Sequence, residues 1–369
     1  MTESKHARNR PGWVPWAALG GALVVGGLAG GFIGAAINSS SASTAASTPP
    51  PSPSALSVCA VPSVADKVIP SVVTISAKKG TQGGTGSGEV IRSDGYILTN
   101  NHVIALAADG GQIDVQFSDG TTAPAKITGR DPLTDLAVIK IQPARQLKVI
   151  QLGSSASAVV GQPAVVIGAP LGLSETVTSG IISALDRTIQ VPGEDNTTAL
   201  LVSAIQSDAA INPGNSGDAM VNCNGQLVGV PSAGATVPSS SGESSGGSIG
   251  LGFAIPVDLA KTISDEIIDT GSVTHAFFGV STVPIPPAAA AEAGVPEGLY
   301  VQAVVPGGPS DQAGLQEGDV ITTINGKPAT SNIQLQEIAI TKSPGDTVDI
   351  GYNRNGKSAT TKVTLGTKP

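Results

Sequence analysis

The chain has 369 residues, a formal net charge of −8 and a pI of about 4.9. That acidic balance, with no basic stripe in the folded part, gives a nucleic-acid role no electrostatic support. Hydrophobic residues make up 40 % but aromatics only 3 %. Any core is therefore built from Val, Ile, Leu and Ala, and the 47 Gly and 27 Pro imply many turns and a β-rich architecture of two or three domains plus tails.

Residues 1–12 carry Lys5, Arg8 and Arg10 and are followed by an uncharged apolar run, 13–37. As a helix that run spans roughly 35–40 Å, enough to cross a bilayer. No charged residue follows until Asp66. The asymmetry predicts a single-pass membrane protein with residues 1–12 in the cytoplasm and everything after the span outside. A cleaved signal peptide is the competing reading, because "SASTAAS" offers small residues for cleavage. The "LSVC" run around Cys59 also resembles a lipoprotein signal, but it lies far from the apolar segment and Val58 fits it poorly. Residues 38–57 are uncharged and rich in Ser, Ala and Pro, a composition that forms an extended tether rather than a core.

From residue 58 the pattern is strand-like, with β-branched runs at 71–77, 87–100, 112–129 and 135–142. "SDG" occurs at 93–95 and 118–120 between such runs, a hairpin signal. A second group follows at 163–170, 175–185, 200–208, 225–230 and 249–256. Two groups of short strands predict a double antiparallel β-barrel over 58–271. The Gly/Ser-rich stretch 231–248 reads as a loop. Residues 256–271 read as a helix, with Pro256 at its start, Gly271 at its end and Val257, Ala260, Ile263 and Ile267 on one face. A further unit occupies 277–369.

Cys59 and Cys223 are the only cysteines. On the outer side of a membrane a lone pair of cysteines points to a disulfide, with two separate buried thiols as the alternative.

Candidate chemistry follows from elimination. Of three histidines, His6 lies in the tail and His275 in a linker, which leaves His102 at the end of the strand "GYILTN". Asp135 opens the apolar strand "DLAVIKI" and needs a donor such as a histidine Nδ1–H. Asp131, before Pro132, reads as a solvated turn residue. Ser216 stands in the turn "NPGNSG" between Gly214 and Gly217, which suits an exposed nucleophile and makes the N–H groups of Gly214 and Ser216 candidate oxyanion donors. Asp218 stands where a second glycine would be usual. A positive φ there is tolerated by Asp, and its charge is expected to raise the pKa of His102. No second His or Cys stands at ligand spacing, so no metal site is expected. The glycine-rich run "GTQGGTGSG" (80–88) reads as a connection between two strands rather than a phosphate loop.

The order His, Asp, Ser and the segments "GSGEVIRSDGYILTNNHVI", "DPLTDLAVIKI", "TVTSGIISAL", "IQSDAAINPGNSG" and "GLGFAIPVD" resemble the HtrA (Deg) family of trypsin-like serine proteases over nearly all of 61–260. The C-terminal "FFGV" and "GLYVQAVVPGGPSDQAGLQEGDVITTINGKPA" resemble a bacterial PDZ domain. The resemblance implies a chymotrypsin-like double barrel and an ATP-independent endopeptidase without cofactors. It places the triad on His102, Asp135 and Ser216, the S1 pocket at Ile211 and Val230, and a carboxylate-binding loop at Phe277, Phe278, Gly279 and Val280. Unfolded or signalling proteins are the implied substrates, in protein quality control, with peptide C-termini as PDZ ligands. Family members trimerise through early aromatic residues, which 58–80 lacks. A proteolytically silent chaperone or PDZ adaptor is the alternative that Asp218 suggests.

Overall fold

A computed structural model of the chain describes residues 59–168, 176–194, 197–212, 214–236 and 248–368. The apolar segment 13–37, the linker 38–57 and most of the Gly/Ser-rich stretch lie outside the described residues. Among the described residues no helix is long and apolar enough to cross a membrane.

Helix α1 (Val61–Val68) leads into the first barrel: β1 (Val72–Lys79), β2 (Gln82–Val90), β3 (Tyr96–Thr99), α2 (Asn101–Ile104), β4 (Gln112–Phe117), β5 (Thr122–Asp131) and β6 (Leu136–Ile141). The strands close in the order β1-β2-β3-β6-β5-β4. The run 80–88 is mostly strand, not a connection, because β2 begins at Gln82 and pairs with β1 from Lys79↔Gln82 to Val72↔Glu89. Apolar side chains from alternate strand positions, among them Val73, Ile75, Val115, Ile139 and Ile141, fill this barrel.

The second group comprises β7 (Gln151–Leu152), β8 (Pro163–Gly168), β9 (Thr176–Pro192), β10 (Thr198–Ser207), β11 (Ala219–Val221), β12 (Gln226–Thr236) and β13 (Ser248–Pro256). Its order is β11-β8-β9-β10-β13-β12-β7, and a further β11–β12 pairing joins the first strand of that order back to β12. Helix α3 (Val257–Thr270) follows. The four residues that define its apolar face are all buried, and they join α1 and strands of both barrels in one shared core. The disulfide Cys59–Cys223, with Cα atoms 5.1 Å apart, ties the chain two residues before α1 to the loop after β11. Lys67 of α1 also donates to Gln151 Oε1 at 3.2 Å and to the Asn224 carbonyl, so the start of the domain is held to the second barrel both covalently and by hydrogen bonds.

The C-terminal unit contains β14 (Ala276–Phe277), β15 (Val280–Ile285), α4 (Pro287–Ala293), β16 (Gly298–Val304), α5 (Pro309–Gln312), β17 (Val320–Ile324), β18 (Lys327–Pro328), α6 (Ile333–Thr341), β19 (Thr347–Arg354), β20 (Lys357–Thr364) and β21 (Gly366–Thr367). Its main sheet runs β15-β16-β17-β19-β20. Ile340 of α6 packs with Leu200 and Val202 of β10, so this unit rests on the second barrel through an apolar contact.

Candidate active site

Loop, helix and strand register bring His102 and Asp135 together. β3 pairs with β6 in the register Thr99↔Ala137, so the residues just beyond each strand end face one another. His102 lies on the short helix α2 rather than in a loop. Its Nδ1 is 2.8 Å from Asp135 Oδ2 and 3.0 Å from Oδ1, and its backbone N–H donates to Oδ1 at 3.0 Å. The Asp135 side chain is 5 % exposed and that of His102 40 %, an acid held in the interior beneath an imidazole that reaches solvent.

Asp135 is fixed by more than the histidine. It adopts φ 58°, a conformation few non-glycine residues other than Asn and Asp tolerate. Its carbonyl accepts from Asn100 Nδ2 at 2.9 Å and from Asn101 N at 3.1 Å. The Ser232 hydroxyl donates to Asp135 Oδ2. None of these three partners stands out in the sequence. The "TNNH" run and a serine inside the apolar strand β12 are the signals that could have found them.

Ser216 comes from the second barrel. Its carbonyl accepts from Ser87 N at 2.9 Å. Gly86 of β2 allows the approach: a Cβ there would lie 2.6 Å from Val103 Cγ2 and 3.0 Å from the Ser216 carbonyl oxygen. One strand thus separates the residue after His102 from the serine turn by the width of a glycine. No hydrogen bond joins Ser216 Oγ to His102 among the described residues, and in active sites without substrate such contacts are commonly loose.

Within the turn, the N–H groups of Asn215, Gly217 and Asp218 donate to Asn212 O, Pro231 O and Asn215 O at 2.9–3.0 Å. Those of Gly214 and Ser216 have no acceptor among the described residues. Positive φ falls on Gly214 (99°) and Gly217 (78°), not on Asp218. Asp218 is itself fully buried, and its carboxyl faces Asn215, Ser87 and Gly168. Burial pushes its own pKa up to about 7.

Ile211 is 4 % exposed and packs against Gly252 of β13. Val230, also expected at the S1 pocket, is fully buried in the core shared by the two barrels. It opposes Ile255 across the β12–β13 ladder. Asp131 departs from its reading as a solvated turn residue. It ends β5 at 4 % side-chain exposure and accepts from His275 Nε2 at 2.9 Å and from the Thr134 hydroxyl. In the C-terminal unit Phe278 is buried in the local core. The Phe278 carbonyl accepts from both N and Oγ of Ser310 at 2.9 and 2.7 Å, pinning the short link of Phe278 and Gly279 between Phe277 at the end of β14 and Val280 at the start of β15. No group of His, Cys, Asp and Glu able to hold a metal occurs among the described residues.

Residues 86–230 match the trypsin-like peptidase domain family and residues 276–365 the PDZ domain family. The solved structure of the HtrA-type protease AlgW with decapeptide aligns at a TM-score of 0.66 and 33 % identity, over 83 % of this chain and 98 % of that one. The chain belongs to the HtrA family of trypsin-like serine proteases. Among its HtrA relatives, serine protease PepD of Mycobacterium tuberculosis is 45 % identical over 314 residues, covering 83 % of this chain and 66 % of PepD. The periplasmic pH-dependent serine endoprotease DegQ of Escherichia coli is 41 % identical over 288 residues, covering 77 % of this chain and 60 % of DegQ. The chain thus spans under two thirds of the length of these two relatives.

Proposed function

We propose that this HtrA chain is a serine endopeptidase whose triad is His102, Asp135 and Ser216. The observation that carries the reading is the buried Asp135 bonded to Nδ1 of a half-exposed histidine, in a fold where two N–H groups of the serine turn have no acceptor among the described residues. His102 Nε2 takes the proton of Ser216 Oγ as that oxygen attacks the scissile carbonyl. The carbonyl oxygen, becoming an oxyanion, is received by the N–H groups of Gly214 and Ser216. Collapse expels the amine, which takes the proton from His102, and water then repeats the sequence to release the acid. Asp135 holds the tautomer and stabilises the imidazolium, and the Ser232 hydroxyl holds Asp135.

Ile211 is an uncharged floor for S1, which selects small or medium aliphatic side chains. The pinned loop at 277–280 and the free edge of β15 suit capture of a peptide C-terminus by strand addition. Peptide ligands accord with the decapeptide of AlgW. Unfolded or signalling proteins are the proposed substrates and a homotrimer the proposed assembly. The charge asymmetry around 13–37 supports a membrane anchor with the protease on the extracytoplasmic side, in keeping with the periplasmic location in the name of DegQ.

One observation favours the silent chaperone or adaptor: Ser216 and His102 share no hydrogen bond. A fluorophosphonate probe decides between the two. The full-length protein is expected to label at Ser216 and the Ser216→Ala variant to remain unlabelled. A wild type that stays unlabelled beside a reactive serine protease would sink the enzyme reading.

A further inference from the structure

Beneath the serine turn lie two carboxyl groups that the chemistry above leaves unused. Glu89 on β2 and Asp218 both have no exposed surface. Neither oxygen of Glu89 has a hydrogen-bond partner among the described residues. Asp218 differs, because Oδ2 accepts from Asn215 Nδ2 and the Ser87 hydroxyl is a second donor. Gly168 at the end of β8 makes the space, since a Cβ there would lie 1.6 Å from Asp218 Oδ1. Gly168 and Asp218 are therefore fitted to one another in the interior, with Glu89 near enough for the charge of Asp218 to act on it.

The chain of contacts runs straight to the nucleophile. Asn215, the residue before Ser216, is 2 % exposed. Its Oδ1 accepts from Asn212 N at 2.8 Å, its N donates to Asn212 O at 2.9 Å, and Asn212 Oδ1 accepts from Ser248 N at 2.8 Å. Asp218 closes this clamp from the other side. A buried carboxylate needs donors to carry charge; Asp218 has two, although its Oδ1 has no partner among the described residues, whereas Glu89 has none from any other described residue.

We propose that Asp218 is a positioning residue for Ser216, that it orders the turn through Asn215 in its ionised form, and that Glu89 stays protonated as its neutral neighbour. The proposal rests on Ser216 being the nucleophile. A charge-assisted hydrogen bond to Asn215 is stronger than a neutral one, so proton uptake by Asp218 loosens the segment that presents Oγ and the N–H groups of Gly214 and Ser216. Burial pushes Asp218 up to about 7 and lifts Glu89 well above the usual carboxylate range, with the charge of Asp218 adding to the second shift.

The surrounding elements carry few competing charges. β8, β11 and β12 contain no titratable side chain. β1 has Lys78 and Lys79 at its far end, α1 has Asp66 and Lys67, and β3 has Tyr96. Beyond these lie His102 with Asp135 and the ion pairs Arg92–Asp265 and Lys140–Asp94. None of them is hydrogen-bonded to Glu89 or Asp218.

The test is the rate of fluorophosphonate labelling of the full-length protein across pH, in wild type, Asp218→Asn and Glu89→Gln. Asp218→Asn keeps an acceptor oxygen for Asn215 but cannot ionise. The ratio of wild-type to variant rate cancels what the two proteins share and isolates the carboxyl. That ratio is expected to fall about tenfold between about pH 9 and about pH 5 for Asp218→Asn, and to stay constant for Glu89→Gln. A constant ratio for Asp218→Asn would reduce Asp218 to a packing role and overturn the proposal. A pH-dependent ratio for Glu89→Gln would overturn the assignment of the charge. Should Asp218→Asn not fold, Asp218→Gly, which also lacks the carboxyl, is read the same way. Wild type that fails to label at any pH would instead remove the nucleophile reading itself, a separate outcome.

A thermal melt supplies a second readout. A carboxyl raised from 3.8 to about 7 on folding binds its proton more tightly in the native state, so its contribution to stability is full at low pH and is lost as pH rises through the folded value. Asp218→Asn is therefore expected to raise Tm more at about pH 8 than at about pH 5. An equal change at both would show that folding does not raise the Asp218 carboxyl, so that it stays ionised from about pH 5 to about pH 8, and would overturn the proposed pH dependence.

Discussion

Two histidine–aspartate pairs meet at the ends of β5 and β6, and their geometry separates chemistry from bracing. His102 meets Asp135 through Nδ1, and its side chain is 40 % exposed. His275 meets Asp131 through Nε2, and its side chain is 18 % exposed. Proton transfer to a substrate needs an imidazole nitrogen that faces the cleft while the other is held by an acceptor. In the first pair Nε2 is left for that purpose. In the second it is already engaged by Asp131, which also takes the Thr134 hydroxyl, so the pair ties the residue before the PDZ unit to the loop that carries Asp135. Residue types alone do not distinguish the two pairs; the nitrogen used and the access to solvent do.

The sharpest way to break this contrast is Asp135→Asn. It is expected to lower kcat by about 10⁴ or more, because the wrong tautomer is held, while Tm changes little. A peptidase assay that finds a loss under tenfold would place the chemistry elsewhere. Asp131→Asn tests the other side. Losing a buried acceptor costs on the order of 1–3 kcal/mol, so its melting temperature should drop while fluorophosphonate labelling stays within a few-fold of wild type. Labelling that collapses as it does in Asp135→Asn would make the two pairs one unit. The smallest effect is expected for Ser232→Ala, which removes one donor to Asp135 and should cost about tenfold in kcat with KM unchanged. A change confined to KM would mean that Ser232 acts on substrate binding and not on Asp135.

Much of the site is legible in the amino-acid sequence. With one histidine between residues 58 and 271, elimination alone points to His102, and the Gly-Asn-Ser-Gly turn to Ser216. Helix α3 is readable because its apolar face repeats at helical spacing, and all four residues of that face are buried. Other features are hidden from sequence for a common reason. "RDPLTD" has the letters of an exposed turn, yet Asp131 is buried because His275, 144 residues away, lies over it. Val230 lies in the core shared by the two barrels, because a strand alternates faces and its neighbours across the sheet decide which face is buried. Glu89, inside "GSGEVIRSDG", carries no local mark of its burial.

The amino-acid sequence by itself determined the short-range features: alternating strands in two groups, the turn that exposes Ser216, the amphipathic α3 and the scarcity of histidines. Each depends on residues within a few positions of one another, where backbone preference and hydrophobic period act directly. Only the tertiary structure decided which aspartate serves which histidine, that Ser232 reaches Asp135, and that Asp218 turns inward toward Glu89. Those are matters of burial and pairing across the two barrels, and the desolvation that raises a carboxyl pKa exists only once distant strands have closed around it.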